Sequence, residues 1–139
     1  MRRGDIVPAA RAWLGTRWQH QGRTGRGIDC VGLIVLVGRE NGFAARDFRA
    51  YPRRPDGQFL PRFREQLNPR PVGKALPGDI LVFCFGDAPC HCGFLSRRED
   101  TDTVIHAHGL RRRVVEEPLS AAASIVGTPS HAFAFPGVD

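Results

Sequence analysis

An almost wholly apolar segment, CVGLIVLVGRE, occupies residues 30–40. Because nearly every position is apolar, no polar face is left for solvent, which predicts a helix buried on most sides. The preceding residues, 16–29, lack periodicity and contain three glycines, so they are expected to form a loop whose backbone approaches other groups closely. Asn41-Gly42 predicts the end of the helix. The fold is therefore expected to be built around this segment.

Two further helices are predicted, one before and one after the apolar segment. Residues 5–14 predict a short helix with Asp5 as the N-cap and Gly15 as the C-terminal stop. Residues 58–67, QFLPRFREQL, are a more modest candidate. The first half of the chain is thus expected to be mainly helical.

The second half of the chain has the pattern of β-strands. A Pro77-Gly78-Asp79 turn signal introduces a strand that ends at residue 85, and two more strands are expected at 90–96 and 102–108. RRVVEEPL and HAFAFP predict a fourth and a fifth strand. Helices followed by antiparallel strands predict an α+β fold, with the helices on one face of a meander.

Length and composition restrict the classes of protein that are possible. The 139 residues correspond to one domain, 1–139. No apolar run approaches the roughly 18–20 residues that cross a bilayer, and the N-terminus lacks the apolar stretch of a secretory signal. The chain is therefore expected to be made in the cytoplasm and to have no membrane span.

The net charge is +6, with 19 arginines and a single lysine, Lys74. This balance favours anionic partners. However, the arginines are scattered and form no block of five or six, so a solvated surface is the favoured interpretation. The Arg-Phe alternation at 46–64 is better explained by packing than by nucleic-acid binding, and no nucleic-acid partner is expected.

Cys30 stands at the predicted start of the buried helix, directly after Asp29. The unpaired N–H groups at a helix N-terminus stabilise a thiolate, which is the reactive form of cysteine. A free cysteine is also among the most buried residue types and often only fills space. On this local feature alone, a nucleophile and a core residue remain open alternatives.

A cysteine nucleophile needs a base, and the base needs an orienting group. His91 begins one predicted strand and His106 lies in the next. Antiparallel pairing would bring the two side by side. His108 is a rival to His106, because it lies two residues along the same strand and shares its face.

Three stretches, in this order, resemble the NlpC family of cell-wall cysteine endopeptidases. Residues 10–42 contain the Asp-Cys-x-Gly-Leu helix start that marks the family. LPGDILVF followed by HCGFL resembles its Pro-Gly-Asp strand and its His-x-Gly-hydrophobic strand, and VIHA resembles its hydrophobic-His-Ala strand. HQGR, YPRRPDG and AFAFPG are most similar to the branch encoded with phage tails and gene transfer particles.

The resemblance implies a papain-like fold, with N-terminal helices packed on a five- to six-stranded antiparallel sheet. It implies that Cys30 is the nucleophile, His91 the general base and later acid, and His106 the group that orients His91. The backbone N–H of Cys30 would donate to the oxyanion. The substrate groove would be lined by Trp18, His20, Asp29 and Val31, and Asp29 could meet a positive group on the substrate.

Two positions depart from the family pattern. Val31 stands where the family usually has serine, which removes a hydroxyl from the groove. Trp18 stands where the family usually has tyrosine, and an indole N–H donates a hydrogen bond but accepts none. Both departures concern substrate recognition more than the catalytic residues.

Metal binding is the alternative use of the cysteines, since Cys84, Cys90 and Cys92 offer soft ligands. In a strand, Cys90 and Cys92 would share one face while His91 points to the other, so the three could not reach one ion. No metal and no cofactor are therefore expected.

The sequence predicts a cysteine endopeptidase or amidase that cleaves peptidoglycan stem peptides. The resemblance indicates the γ-D-glutamyl–diamino acid bond, and action on the cell wall as part of a phage or phage-like particle with tail proteins as partners. Two alternatives stay open. One is a catalytically weak or inactive tail-assembly or wall-binding module of the same fold, and the other is an acyl-transfer enzyme.

Overall fold

The computed structural model describes residues 1–86 and 88–139, without the side chain of Phe85. Its helices and its antiparallel sheet confirm the predicted α+β class. The helices are α1 (Arg3–Arg11), α2 (Cys30–Glu40), α3 (Phe59–Gln66) and α4 (Leu119–Val126). The strands are β1 (Arg23–Thr24), β2 (Gly27–Ile28), β3 (Asn68–Arg70), β4 (Ile80–Phe85), β5 (Ala88–Arg98), β6 (Thr101–His108), β7 (Arg113–Pro118) and β8 (Pro129–Ala134).

The buried helix α2 lies where the sequence predicts it. It begins at Cys30, and all residues from Gly32 to Gly38 are buried. Asp29 is its N-cap, with a side chain that accepts a hydrogen bond of 2.8 Å from the Gly32 N–H. Asn41 caps its C-terminus, as expected.

The main sheet has the strand order β3-β8-β4-β5-β6-β7, with antiparallel pairing throughout. Strands β4 to β7 form the predicted meander. The last strand, β8, does not extend it but returns to pair with β4. The short strand β3, which the sequence pattern did not indicate, pairs with β8 at the edge of the sheet.

Helices cover both faces of the sheet, which corrects the expectation that they pack on one face only. Alternate strand residues point to opposite faces. Val82 and Phe94 lie in the core cluster that contains the buried residues of α1 and α2. The residues beside them, Leu81 and Leu95, lie in a second cluster. Helix α4 covers that second cluster because the apolar face would otherwise be exposed to solvent.

Helix α1 is shifted relative to its prediction. It begins at Arg3, so Arg2 rather than Asp5 is the N-cap. Asp5 lies in the first turn, where a carboxylate interacts favourably with the helix dipole and stabilises the helix. It ends at Arg11 and not at Gly15, because the Gly15 N–H donates to the carbonyl of Val114 in the sheet. A tertiary contact therefore sets the C-terminal end of this helix.

Candidate active site

Cys30 is the first residue of α2, and the glycine-rich loop packs directly against this end of the helix. A Cβ atom at Gly32 would lie 2.4 Å from the carbonyl oxygen of Gly22. Gly32 is therefore required for the loop to pass so close to the helix. Cys30 itself is only partly buried, with its thiol at the junction of the loop and the helix.

Asp29 holds the loop to the start of α2 and has little exposed surface, about 4%. Besides the Gly32 N–H, it accepts hydrogen bonds from the Gln21 N–H at 2.7 Å, from Arg23 Nη1 at 3.0 Å and from the Tyr51 hydroxyl. Four donors thus occupy the four acceptor positions of the carboxylate. Asp29 is therefore engaged inside the protein even though it lines the cleft described below.

The pair Arg23 and Tyr51 extends this network away from the helix. Arg23 also bonds Asp47, with nitrogen–oxygen distances of 2.9 and 3.1 Å, and its Nη2 donates to the Tyr51 hydroxyl oxygen at 3.1 Å. Burial of Tyr51 and its hydrogen bond to Asp29 raise the pKa of the phenol, so that it stays protonated and donates. Neither Arg23 nor Tyr51 was expected from the sequence to have a role at this site.

His91 and His106 meet on the sheet, as the antiparallel prediction requires. Nε2 of His91 lies 2.7 Å from Nδ1 of His106. In the register that pairs Phe94 with Ile105, Gly93 lies beside His106. A Cβ atom at Gly93 would lie 2.9 Å from the His106 Cβ, so the absence of a side chain there allows His106 to reach His91.

Glu117, from β7, holds the far side of the His106 ring. Its Oε2 atom lies 2.9 Å from Nε2 of His106, and Arg111 donates to both of its carboxylate oxygens at 3.1 and 2.7 Å. Burial alone would raise the pKa of Glu117, but the hydrogen bonds from Arg111 and His106 outweigh it and hold the pKa below its ordinary value. Glu117 is therefore an ionised acceptor at neutral pH.

The charge state of Glu117 fixes the tautomers of both histidines. Burial lowers the pKa of His106 against the opposing hydrogen bond to Glu117. The pKa of His91 is lowered as well, mainly by burial and to a smaller extent by the nearby His106 and His108. Both rings are therefore neutral near pH 7. His106 must donate from Nε2 to the carboxylate, so its Nδ1 accepts the Nε2–H of His91. Nδ1 of His91 is thus left without a proton, as a base needs.

Cys30 and His91 line the same cleft, a cavity of about 610 Å³. His106 lies behind His91 and is fully buried. His108 also lines the cleft, with its ring centroid 5.0 Å from that of His91, and its Nδ1 accepts a hydrogen bond from the Leu110 N–H. The four predicted groove residues line it as well: Trp18, His20, Asp29 and Val31.

The Cys92 thiol is a neighbour of the Cys30 thiol. Burial raises the pKa of the Cys92 thiol, and a hydrogen bond with Cys30 raises it further, so Cys92 stays a neutral thiol. Within the residues that the structure describes, Cys30 and His91 share no hydrogen bond. In enzymes without bound substrate such bonds are often long and tighten only in the complex.

The cysteines of the metal alternative lie in different surroundings. Cys92 is fully buried in the core, whereas Cys84 Sγ lies 3.1 Å from Ser130 Oγ. Across residues 1–86 and 88–139, no group of three or more His, Cys, Asp or Glu side chains is arranged to hold a metal ion. None of the helices in the described part of the chain has the length and apolar character needed to span a bilayer.

Comparison with known protein families and with curated proteins gives no match. Among solved structures, the chain is similar to the NlpC/p60 domain of the peptidoglycan hydrolase SagA. The TM-score is 0.70 at 19% identity, over 97% of this chain and 100% of that one. The fold is that of NlpC/p60 domains.

Two further solved structures agree with this assignment. An NlpC/p60 family protein from Bacillus cereus ATCC 10987 has a TM-score of 0.71 at 20% identity, over 96% of this chain and 40% of that one. An N-acetylmuramoyl-L-alanine amidase from Bacteroides uniformis ATCC 8492 has a TM-score of 0.64 at 11% identity, over 94% and 96% of the two chains. The structural similarity to these proteins establishes the NlpC/p60 fold.

Within this NlpC/p60 fold, sequence reasoning missed Glu117 and Arg111. The adjacent acids Glu116 and Glu117 in a predicted strand were a usable signal, because one of the two must point to the same face as the histidines of the next strand. Glu116 points to the other face, where it binds Arg11 of α1 at 2.9 and 3.0 Å. The strand pairing needed to separate the two roles was not visible in the sequence.

Proposed function

We propose that the chain is a cysteine hydrolase of peptidoglycan that cleaves stem peptides, with Cys30 as the nucleophile and His91 as the base. One observation carries this proposal. A thiol at the N-terminus of a buried helix opens into the same cleft as a neutral histidine whose tautomer is fixed by His106 and Glu117. The NlpC/p60 domain of a peptidoglycan hydrolase and an amidase share the fold, which supports the substrate class.

In the first half of the reaction, Nδ1 of His91 takes the proton of the Cys30 thiol, and the sulfur attacks the carbonyl carbon of the scissile amide. The developing oxyanion accepts a hydrogen bond from the Cys30 backbone N–H, which has no partner within the helix because it stands at the first position of α2. His91 then gives its proton to the leaving amine. The product is an acyl-enzyme, with the amine half of the substrate free to leave.

In the second half, His91 takes a proton from a water molecule, which attacks the thioester carbon. The carbon–sulfur bond breaks, the acid product leaves, and the proton returns to the Cys30 sulfur. His106 touches neither substrate nor water in this scheme. It holds the His91 ring in the tautomer that leaves Nδ1 bare, and Glu117 does the same for His106. Its direct bond to His91 favours His106 over His108 in this role.

The groove residues divide into two kinds in this proposal. Trp18, His20 and Val31 contact the peptide, since they line the cleft. Asp29 was expected from the family resemblance to meet a positive group on the substrate. Its four hydrogen bonds instead favour a positioning role, in which Asp29 fixes the loop and the first turn of α2.

The finer parts of the proposal rest on the family resemblance. These are the γ-D-glutamyl–diamino acid bond as the site of cleavage and a phage or phage-like particle as the vehicle to the wall. The net charge of +6 supports retention on a polyanionic wall. Tail proteins of such a particle would then be the protein partners.

A catalytically weak wall-binding or tail-assembly module is the second candidate. The observation that favours it is that Cys30 shares no hydrogen bond with His91 within the described residues, where His91 is bonded to His106. The two departures from the family pattern, Trp18 and Val31, point the same way. This candidate predicts binding to cell wall without cleavage.

Digestion of purified peptidoglycan separates the two candidates. The wild-type chain, Cys30→Ala and His91→Ala are each incubated with the wall, and released fragments are identified by mass spectrometry. His131→Ala is the matched control, since His131 lies outside the cleft on β8. The proposal expects stem-peptide fragments from the wild type and the control alone. Fragments from Cys30→Ala, or none from a folded wild-type chain that still binds the wall, would refute it.

A further inference from the structure

The cleft beside Cys30 continues into an apolar chamber that a polar stem peptide does not explain. One wall is the face of α2 that follows the nucleophile, with Val31, Ile34 and Val35 lining the cavity. From Cys30 to Val35 the helix rises roughly 7.5 Å. Four phenylalanines also line this cavity: Phe43, Phe59, Phe63 and Phe135.

The charges at the cavity are mainly positive. Arg53 lies over the Trp18 ring, with its guanidinium carbon 5.5 Å from the centroid, and Arg54 lines the cavity beside it. Arg62 lies 3.7 Å over the Phe48 ring. Two carboxylates also line the cavity. Asp56 accepts a hydrogen bond from the Gln58 N–H, and Asp29 contributes little free charge because its acceptor positions are filled. A ligand with an apolar chain and an anionic group complements both features.

We propose that this chamber binds an extended apolar acyl chain, and that Cys30 also hydrolyses acyl esters whose chain enters it. The inference rests on the proposed nucleophile, and it adds a substrate class that the stem-peptide activity does not include. The reason is geometric, since an acyl group bonded to the Cys30 sulfur lies directly at the start of the wall formed by Val31, Ile34 and Val35. Burial of each methylene in that wall stabilises the bound chain.

The chemical steps balance without a cofactor. The Cys30 sulfur attacks the ester carbonyl carbon, the carbon–oxygen bond to the alcohol breaks, and the alcohol leaves with the proton that His91 took from the thiol. A water molecule then attacks the thioester carbon, with its proton passing through His91. The carbon–sulfur bond breaks, the carboxylic acid leaves, and the Cys30 thiol is regenerated.

A chain-length series of p-nitrophenyl esters tests the proposal. Rates are measured on acetate, butyrate, hexanoate and octanoate esters at concentrations below micelle formation, after subtraction of the Cys30→Ala rate. We expect kcat/KM to rise about fourfold per added methylene, the ratio that burial of one CH₂ group supplies, until the chain fills the cavity. A flat or falling series in the wild type overturns the proposal.

A pair of valine substitutions locates the effect. Val35→Trp fills the apolar wall, and we expect it to lower the ratio of octanoate to acetate activity at least tenfold. Val72→Trp makes the same exchange at an exposed position outside the cavity, and the wild-type ratio should remain. An unchanged ratio in folded Val35→Trp contradicts the proposal.

A wild-type measurement covers the case in which Val35→Trp does not fold. Alkylation of Cys30 by iodoacetamide is timed in the presence of decanoate, acetate or decyltrimethylammonium. We expect protection by decanoate alone, because it has both the apolar chain and the negative charge. Equal protection by all three, or none by decanoate, overturns the acyl-chain site.

The two proposals fail in different ways. Cleavage of stem peptides without any chain-length preference removes the acyl-chain site and leaves the proposed function intact. A rising ester series without wall cleavage removes the proposed stem-peptide activity and leaves the acyl-chain site intact. Loss of all Cys30 reactivity removes both.

Discussion

His106 donates a hydrogen bond from Nε2 to the Glu117 carboxylate, across 2.9 Å. This contact determines which nitrogen of His91 is free, because the opposite nitrogen of His106 must then accept the His91 Nε2–H. Arg111 fixes the carboxylate in turn. The base in the cleft is therefore oriented by a chain of contacts that crosses three strands of the sheet, from β5 through β6 to β7.

Replacement of Glu117 tests this chain of contacts. Glu117→Ala removes a hydrogen bond to a charged acceptor, so we expect kcat to fall about 10- to 100-fold. KM should change little, because Glu117 lies behind the histidines and away from substrate. Glu117→Gln keeps an oxygen that accepts from His106 and should restore part of kcat. Glu99→Gln, at an exposed turn, is the matched control. A KM effect without a kcat effect would contradict the orienting role.

The sequence was sufficient to predict the residues whose local pattern is distinctive. Cys30 follows a helix N-cap and opens an apolar helix, and His91 and His106 lie in adjacent strands, so their meeting follows from antiparallel pairing alone. Glu117 could not be assigned in this way. Its role depends on the register of β6 against β7, in which Val104 pairs with Glu117, and register is set by tertiary packing.

The roles of Asp29 and of the segment around Tyr51 were hidden for a related reason. An aspartate before a cysteine is equally compatible with an N-cap and with a substrate ligand. Only the structure brings Arg23 and Tyr51 onto the carboxylate, from positions 6 residues before and 22 residues after it. Helix α4, with the sequence LSAAASIV, was not expected from the sequence, and the apolar face of the sheet that it covers determines its placement.

Gly93→Ala should separate the two histidines. The new Cβ atom would lie 2.7 Å from Val104 Cγ2 and 2.9 Å from His106 Cβ, so β6 must shift. We expect the free energy of unfolding to fall by about 1–3 kcal/mol and wall cleavage to be lost. Gly4→Ala, where no atom lies within 4 Å of the new Cβ, is the control. Denaturant unfolding and cleavage assays on both variants check this, and full activity of Gly93→Ala would argue against the His91–His106 contact.

Asp29→Ala should destabilise the protein far more than loss of a surface carboxylate. It removes the N-cap of α2 and the buried partner of Arg23, and we expect the free energy of unfolding to fall by about 2–4 kcal/mol. Asp102→Ala breaks an exposed ion pair with Arg97 and should cost less than about 1 kcal/mol. Urea unfolding compares the two. Equal losses would show that the Asp29 network contributes no more than a surface pair.

The buried histidines should make stability depend on pH. The pKa values of His91, His106 and His108 are lowered, by burial above all, from an ordinary value of 6.5. Below about pH 6.5 the unfolded chain binds protons that the folded chain refuses, so the free energy of unfolding falls as the pH drops. Each histidine contributes at most about 1.4 kcal/mol per pH unit to the slope of the free energy of unfolding against pH. Urea unfolding between pH 7.5 and 5.5 measures the slope, and His91→Gln should reduce it. A stability that stays constant over this range would contradict the neutral state of these rings.

The most direct test of the central claim is the alkylation rate of Cys30. Iodoacetamide is applied near pH 6 to the wild-type chain, to His91→Ala and to N-acetylcysteine, and the modified residue is identified by peptide mass mapping. If Cys30 is a nucleophile served by His91, it reacts much faster than the free thiol, and His91→Ala loses that advantage. A Cys30 that reacts no faster than N-acetylcysteine, with the same rate in His91→Ala, would contradict the account.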